Sequence, residues 1–272
     1  MRPINLNEFV MSQTTWKDRL RFYLPTILVA VAVLLVWELA TRLLGIKQFL
    51  LPRPSAILAS LIDQWPLISP RVLSTTRGAV GGFAIGTIIG VGMAFVTARF
   101  TALREAMMPF AIAANSVPII ALSPIMFNWF GPTNPVSWMM IVAIMVFFPV
   151  LINTVRGLTE VKPEALELMH SYAASDLKIL FSLRVPNALP FLFSALRVAS
   201  VLSMIGAIVA DFFGAERNTV GKYVTQEAAS LRFDNTWAAV LVASLIGILF
   251  YSLVVWVEGR VTPWAAAKGN RE

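Results

Sequence analysis

Six stretches of about twenty residues, nearly free of charge, recur along this chain, and they decide what it can fold into. A helix crossing a bilayer takes about 20 apolar residues. Stretches of that kind span residues 25–44, 78–98, 107–130, 136–155, 187–213 and 237–257. Of the 272 residues, 57% are hydrophobic and only 14% are charged. A water-soluble globule carries about a quarter, so that class is excluded. Disorder is excluded too, because apolar residues abound and no long polar tract exists. The expected fold is an all-α integral membrane protein with about six transmembrane helices.

The net charge of +7 belongs to topology and not to a nucleic-acid surface, because the basic residues lie between the apolar stretches. Six crossings put both ends on one side. If that side is cytoplasmic, thirteen Lys and Arg fall inside (Arg2, Lys17, Arg19, Arg21, Arg99, Arg104, Arg156, Lys162, Lys178, Arg184, Arg260, Lys268, Arg271). Eight fall outside (Arg42, Lys47, Arg53, Arg71, Arg77, Arg217, Lys222, Arg232), and Arg197 lies within a span. The bias has the sign that insertion favours, so the chain reads as a multi-pass protein of the cell (inner) membrane with cytoplasmic termini. The first apolar run is too long for a cleavable signal. The organisation expected is a cytoplasmic segment 1–24, a transmembrane domain 25–260 containing a cytoplasmic loop 156–186, and a cytoplasmic tail 261–272.

Little in the sequence offers bond chemistry. Cysteine is absent and His170 is the single histidine, so no thiolate or paired-imidazole metal site is expected. A GxxxxGK[ST] phosphate loop is missing. No cofactor, metal or catalytic set is expected, and the chain does not read as an enzyme.

Several local features carry more. After Leu51-Pro52-Arg53-Pro54, Ser55 is placed to cap a short helix whose apolar positions Ile57, Leu58, Leu61, Ile62 and Trp65 follow helical spacing. That helix either lies on the outer membrane surface or packs on the spans. Gly78, Gly82, Gly86 and Gly90 recur every fourth residue, a smooth strip that lets another helix approach closely. Packing inside the bundle is the favoured use; a dimer contact and a sliding surface are the alternatives. The third stretch holds Pro109, Pro118 and Pro124 together with Asn115, Ser116, Ser123 and Asn128. Broken backbone at membrane depth survives where it is buried in protein or lines a cavity, so this stretch reads as a translocation pathway ahead of a kinked packing element. Arg197 divides evenly between a functional and a packing role. Glu38 and Asp211 fall near the outer interface, where solvation lowers the cost of a charge, and read as structural.

The longest polar connection, Arg156 to Val185, is helix-forming, amphipathic and interrupted near Ala173-Ala174-Ser175, and it ends at Val185-Pro186. A mere connection needs far fewer residues, so it suggests a docking element for a soluble partner. The stretch resembles the EAA loop of binding-protein-dependent ABC importer permeases: Glu-Ala-Ala, three residues, Gly, nine residues, Ile-x-Leu-Pro. Glu167 takes the Glu position, Ala173 the Gly position, Leu183 the Ile position and Val185-Pro186 the Leu-Pro, without a gap. Leu168-Met169 stand where the two alanines would be. Alanine resists positive φ, so Ala173 puts the geometry of the turn in question. Asn115-Ser-Val-Pro118 through Pro124 to Trp129-Phe-Gly131 is similar to the third span of permeases for nitrate, sulfonates, taurine and pyrimidine precursors. Leu51-Pro-x-Pro-Ser55 and Ala195-Leu-Arg197 recur there as well, so the resemblance extends over about residues 37–259.

The resemblance implies a MetI-like type I ABC importer permease bundle. It further implies a cytoplasmic ABC ATPase subunit dimer, an extracytoplasmic solute-binding protein and a second permease copy as a homodimer. Glu164, Glu167, His170, Ala173, Ala174, Ser175, Asp176, Leu183 and Pro186 would couple to the ATPase. Asn115, Ser116, Pro118, Ser123, Pro124 and Arg197 would line the pathway. A self-powered carrier or channel using Glu38, Arg197 and Asp211 is the alternative, and a non-transporting scaffold is a third reading.

Overall fold

The computed structural model describes residues 16–214 and 218–264, and all regular structure among them is helical. Residues 1–15 and 265–272 of the two terminal segments, with Arg2, Arg217, Lys268 and Arg271, lie outside the described residues. The elements are α1 (Trp16–Leu43), α2 (Pro54–Asp63), α3 (Trp65–Arg99), α4 (Thr101–Ala114), α5 (Ile119–Phe130), α6 (Pro135–Thr159), α7 (Pro163–Ser171) and α8 (Asp176–Ile179). A π-turn (Leu180–Arg184), α9 (Val185–Phe213), α10 (Val220–Ala229) and α11 (Phe233–Val261) complete the order.

Among the described residues, five stretches of helix are long and apolar enough to cross a membrane: Leu24–Leu43, Trp65–Arg99, Pro135–Thr159, Asp176–Phe213 and Phe233–Val261. The third expected span is not one helix. It is the 14-residue α4 followed by the 12-residue α5, each only about 20 Å long at 1.5 Å per residue. Pro118 explains the break, because a residue preceding proline is pushed out of the α region.

The core is built by α3, α6 and α9. The glycine strip of α3 lies against α6: a Cβ at Gly82 would stand 2.6 Å from the Met139 carbonyl oxygen, and one at Gly86 2.5 Å from that of Ala143. The strip is therefore spent on packing within the chain. Small residues let the backbones close, and dispersion between them replaces a hydrophobic drive that lipid does not supply. Val142, Val146 and Val150 fill the other side of the contact and are fully buried.

Two expectations change at the end opposite α7, and the open choice for α2 is decided. The second span begins at Trp65, well before residue 78, so α3 is 35 residues long. Ser55 does not cap α2: Arg53 occupies that position with no side-chain hydrogen bond. Instead the Ser55 N–H and Oγ donate to the Glu38 carboxylate at 3.1 and 2.8 Å, and Arg42 donates to it at 2.7 Å. Proline at residue 54 already starts the helix, because its missing N–H is one that a first turn leaves unpaired; Ser55 is thus free to clamp α2 to α1. Ile57 and Ser60 are buried, and Ser60 Oγ donates to Asn235 Oδ1 of α11 at 2.6 Å. So α2 packs on the bundle, and only its Leu58 and Ile62 side is open.

Candidate functional site

The protrusion after α6 is two short helices and a turn. No residue of α7 is buried. Glu164, Glu167, His170, Ala173, Ser175 and Asp176 are exposed on it, Ala174 is half-buried, and so are Leu183 in the π-turn that follows and Pro186 at the start of α9. The structure also exposes four large side chains absent from the expected set: Leu168, Tyr172 (78% open), Leu177 and Phe181. They form one i,i+4 pair on each limb, a spacing that puts both members on one helix face. In the sequence, an apolar pair on each limb of an otherwise polar segment is the signal for them.

Ala173 settles the geometry of the turn. Its φ is +50°, in the left-handed region that glycine adopts freely. The Ala174 N–H donates to the Met169 carbonyl (3.0 Å) and the Ala173 N–H to that of His170 (2.9 Å). This pair of bonds is a Schellman motif, which satisfies carbonyls the helix end would leave orphaned. The alanine accepts strain of about 1 kcal/mol to keep the turn. Ala173→Gly is therefore expected to slow hydrogen exchange at the 173 and 174 amides about fivefold, the equivalent of about 1 kcal/mol of local stability. Equal or faster exchange would show that the turn adjusts without strain.

Beyond the turn, Ser175 Oγ accepts from the Lys178 N–H at 3.4 Å and starts α8. The helix does not end at Val185-Pro186. It continues from Asp176 to Phe213 as a single 38-residue rod. Pro186 lacks an N–H and its ring crowds the carbonyl four residues back, so the backbone widens to a π-turn at Leu180–Arg184. The rod is pinned where it passes α6. Asn187 Nδ2 donates to the carbonyls of Gly157 (2.8 Å) and Glu160 (3.0 Å). A Cβ at Gly157 would come 2.7 Å from Ala188 Cα, so the two backbones touch there.

At the break between α4 and α5, Asn115, Ser116 and Pro118 are exposed, as are Pro124 and Asn128 of α5. Ser123 is fully buried, and its Oγ has no partner among the described residues. Arg197 stands apart from the break: its Nε meets the Glu258 carboxylate of α11 at 3.3 Å and its NH2 donates to Ser194 Oγ.

At the opposite end of the bundle Asp211 is 1% exposed, not solvated at an interface. Thr75 Oγ1 donates to its Oδ2 at 2.8 Å and the Gly221 N–H at 3.1 Å, while Thr75 Oγ1 accepts from the Val220 N–H. A buried charge is tolerable when its lone pairs are satisfied in this way. The carboxylate thereby ties α3, α9 and α10 together. A Cβ at Gly221 would stand 2.7 Å from the Ile208 carbonyl oxygen, so glycine permits the approach. Asn235 Nδ2 donates to Glu227 at 2.7 Å and Arg232 pairs with it at 2.9 Å, joining α10 to α11 and, through Ser60, to α2. In α10 burial pushes the Tyr223 hydroxyl pKa up, with Glu227 adding to the effect. A cavity of about 340 Å³ lies beneath this cap, lined by Ser74, Arg77, Trp138, Met139, Asp211 and Thr219 among others. No group of three or more His, Asp or Glu among the described residues stands together as metal ligands.

Residues 82–264 match the family described as "Binding-protein-dependent transport system inner membrane component". The chain is 28% identical over 233 residues to the formylaminopyrimidine transport permease protein ThiX of Halalkalibacterium halodurans, covering 85% of this chain and 92% of that one. It is 27% identical over 255 residues to the riboflavin transport system permease protein RibX of Chloroflexus aurantiacus, covering 91% and 93%. With the taurine transport system permease protein TauC of Escherichia coli it shares 25% identity over 242 residues, 86% and 87% of the two chains. Among solved structures, an amino acid ABC transporter crystallised with histidines superposes with a TM-score of 0.60 at 16% identity, over 74% of this chain and 97% of that one. That likeness concerns the fold.

Proposed function

Because the chain belongs to the binding-protein-dependent transport system inner membrane components, the multi-pass permeases of ABC importers, we propose how this permease converts a partner's movement into transport. The α7 end and both termini face the cytoplasm. There an ABC ATPase dimer grips the protrusion, through Glu164, Glu167, His170 and the turn Ala173 to Asp176, with Leu168, Tyr172, Leu177 and Phe181 filling its groove. Leu183 in the π-turn and Pro186 in the first turn of α9 pass the motion to the rod. The observation behind this reading is the protrusion itself: α7 buries nothing within the chain, yet its partner limb is continuous with a membrane-crossing rod. A lever of that kind has a use when something outside the bilayer pushes it.

Two copies then share a pathway, which opens alternately to either side as the rods rock. The open face at Asn115, Ser116, Pro118 and Pro124 contributes its wall, with Ser123 packed behind it and Arg197 setting the tilt of α9 through Glu258. An external binding protein delivers a small solute of the sulfonate, taurine, nitrate or pyrimidine and vitamin-precursor class. Energy enters as ATP on the separate subunit, and the permease makes and breaks no bonds.

The test is uptake by the permease reconstituted with its ATPase and binding protein, comparing the full chain with one lacking 163–175. Full-length protein is expected to accumulate solute only with ATP, and the deletion to lose both uptake and co-purification of the ATPase. Uptake driven by an ion gradient without ATP would replace this reading with a self-powered carrier.

A further inference from the structure

A pocket of about 310 Å³ lies beside the protrusion, where α3 ends, α4 begins and the π-turn leads into α9. Arg99, Arg104, Arg184 and His170 line it, with Phe95 on the apolar side and Asp176 as its one carboxylate. Asp176 stands 3.7 Å from Arg99, both side chains being largely open. Arg104 and Arg184 are different: each is half-buried, and neither has a hydrogen bond or ion pair among the described residues. A guanidinium has five N–H donors, no acceptor, and does not lose its proton. Two guanidinium groups without a protein acceptor therefore face one recess, where an anion would supply the acceptors they lack.

We propose that this pocket binds the phosphate group of an anionic membrane phospholipid. Two planar forks match tetrahedral phosphate oxygens better than they match a point charge. The lipid source follows from position. Arg99 closes one membrane helix and Thr101 opens the next, so the pocket sits where the chain leaves the apolar layer and phospholipid phosphates lie. Phe100 beside it is 57% exposed, as expected of a side chain in the lipid boundary. His170 and Asp176, which belong to the protrusion, form the opposite wall. A bound headgroup would therefore brace the protrusion against α3 and α4, making coupling sensitive to the charge of the membrane.

The experiment uses the permease–ATPase complex in nanodiscs of neutral phosphatidylcholine, with or without phosphatidylglycerol, and counts retained lipid by native mass spectrometry. Wild type is expected to retain phosphatidylglycerol over phosphatidylcholine. Arg104→Gln with Arg184→Gln is expected to lower that preference about tenfold, the scale of a lost charge-assisted bond pair. Arg104→Lys with Arg184→Lys, which keeps the charge and tests folding by its elution profile, should lie between. Inorganic phosphate added to the neutral nanodiscs is the second arm. Protection by phosphate alone, with no preference for phosphatidylglycerol, would overturn the membrane source. Equal retention by wild type and the Gln pair would overturn the site. Loss of the ATPase from the Gln pair in neutral lipid would overturn it as well, assigning the pocket to an acidic side chain of that partner.

Discussion

Gly86→Val is expected to leave almost no folded permease in the membrane, whereas Gly92→Val, on the same helix, is expected to be tolerated. At Gly86 a Cβ would fall 2.5 Å from the Ala143 carbonyl oxygen and 2.9 Å from Val146 Cβ. The obstacle is backbone of a helix that is itself wedged against α9, so neither rotamer change nor a small shift relieves it. Ordinary overpacking costs about 1–3 kcal/mol and occasionally more. Valine adds two further methyl groups to the clash, against a total stability of only about 5–15 kcal/mol for a typical protein. Gly92 has nothing within 4 Å of a Cβ. Elution profile and thermal midpoint in detergent measure the contrast. Matching behaviour of the two variants would refute the claim that the glycine strip holds α3 to α6.

The second large effect lies at the other extreme, a functional loss with no structural one. Leu168→Asp combined with Tyr172→Asp is expected to lower ATP-driven uptake more than about a hundredfold. Each is a large exposed side chain suited to fill a partner's pocket, and interface anchors of this type are worth about 2 kcal/mol or more apiece. The permease itself should fold normally, because α7 buries no residue. Uptake and ATPase co-purification would be compared with the thermal midpoint of the isolated chain. Normal uptake from the double variant would mean the ATPase grips something other than this face, and a lowered midpoint would mean that α7 packs on the bundle after all.

Much of the architecture was legible in residues taken locally. Long uncharged runs announce membrane helices because the bilayer sets their length, and five of the six expected spans correspond to long apolar helices. Three prolines announced a broken third stretch, though only Pro118 stands at the break while Pro109 and Pro124 lie inside helices; glycine at every fourth residue announced a tight helix contact. What was misread has one pattern. Ser55 looked like a cap because caps are judged from neighbours in sequence, but its partner was Glu38, 17 residues away. Val185-Pro186 looked like a helix end because proline removes a hydrogen bond; the π-turn absorbs that loss over five residues. Depth along a span places Asp211 near the interface, but α10 folds back over it and buries it.

By itself, then, the sequence determined the environment, five of the long membrane helices, the interrupted character of the third apolar stretch, and the protruding loop. These follow from apolar length, proline position and polar run length, all properties of contiguous residues. Tertiary structure alone decided which polar groups meet. Thr75 reaches Asp211 across 136 positions and Ser60 reaches Asn235 across 175, and Arg197 finds Glu258 on another helix. It also decided that Arg104 and Arg184 line one pocket, whose one carboxylate, Asp176, pairs with Arg99 instead. A charge buried in a bundle is stabilised or stranded by what the neighbouring helix presents at the same height and angle, and one-dimensional spacing holds no record of either.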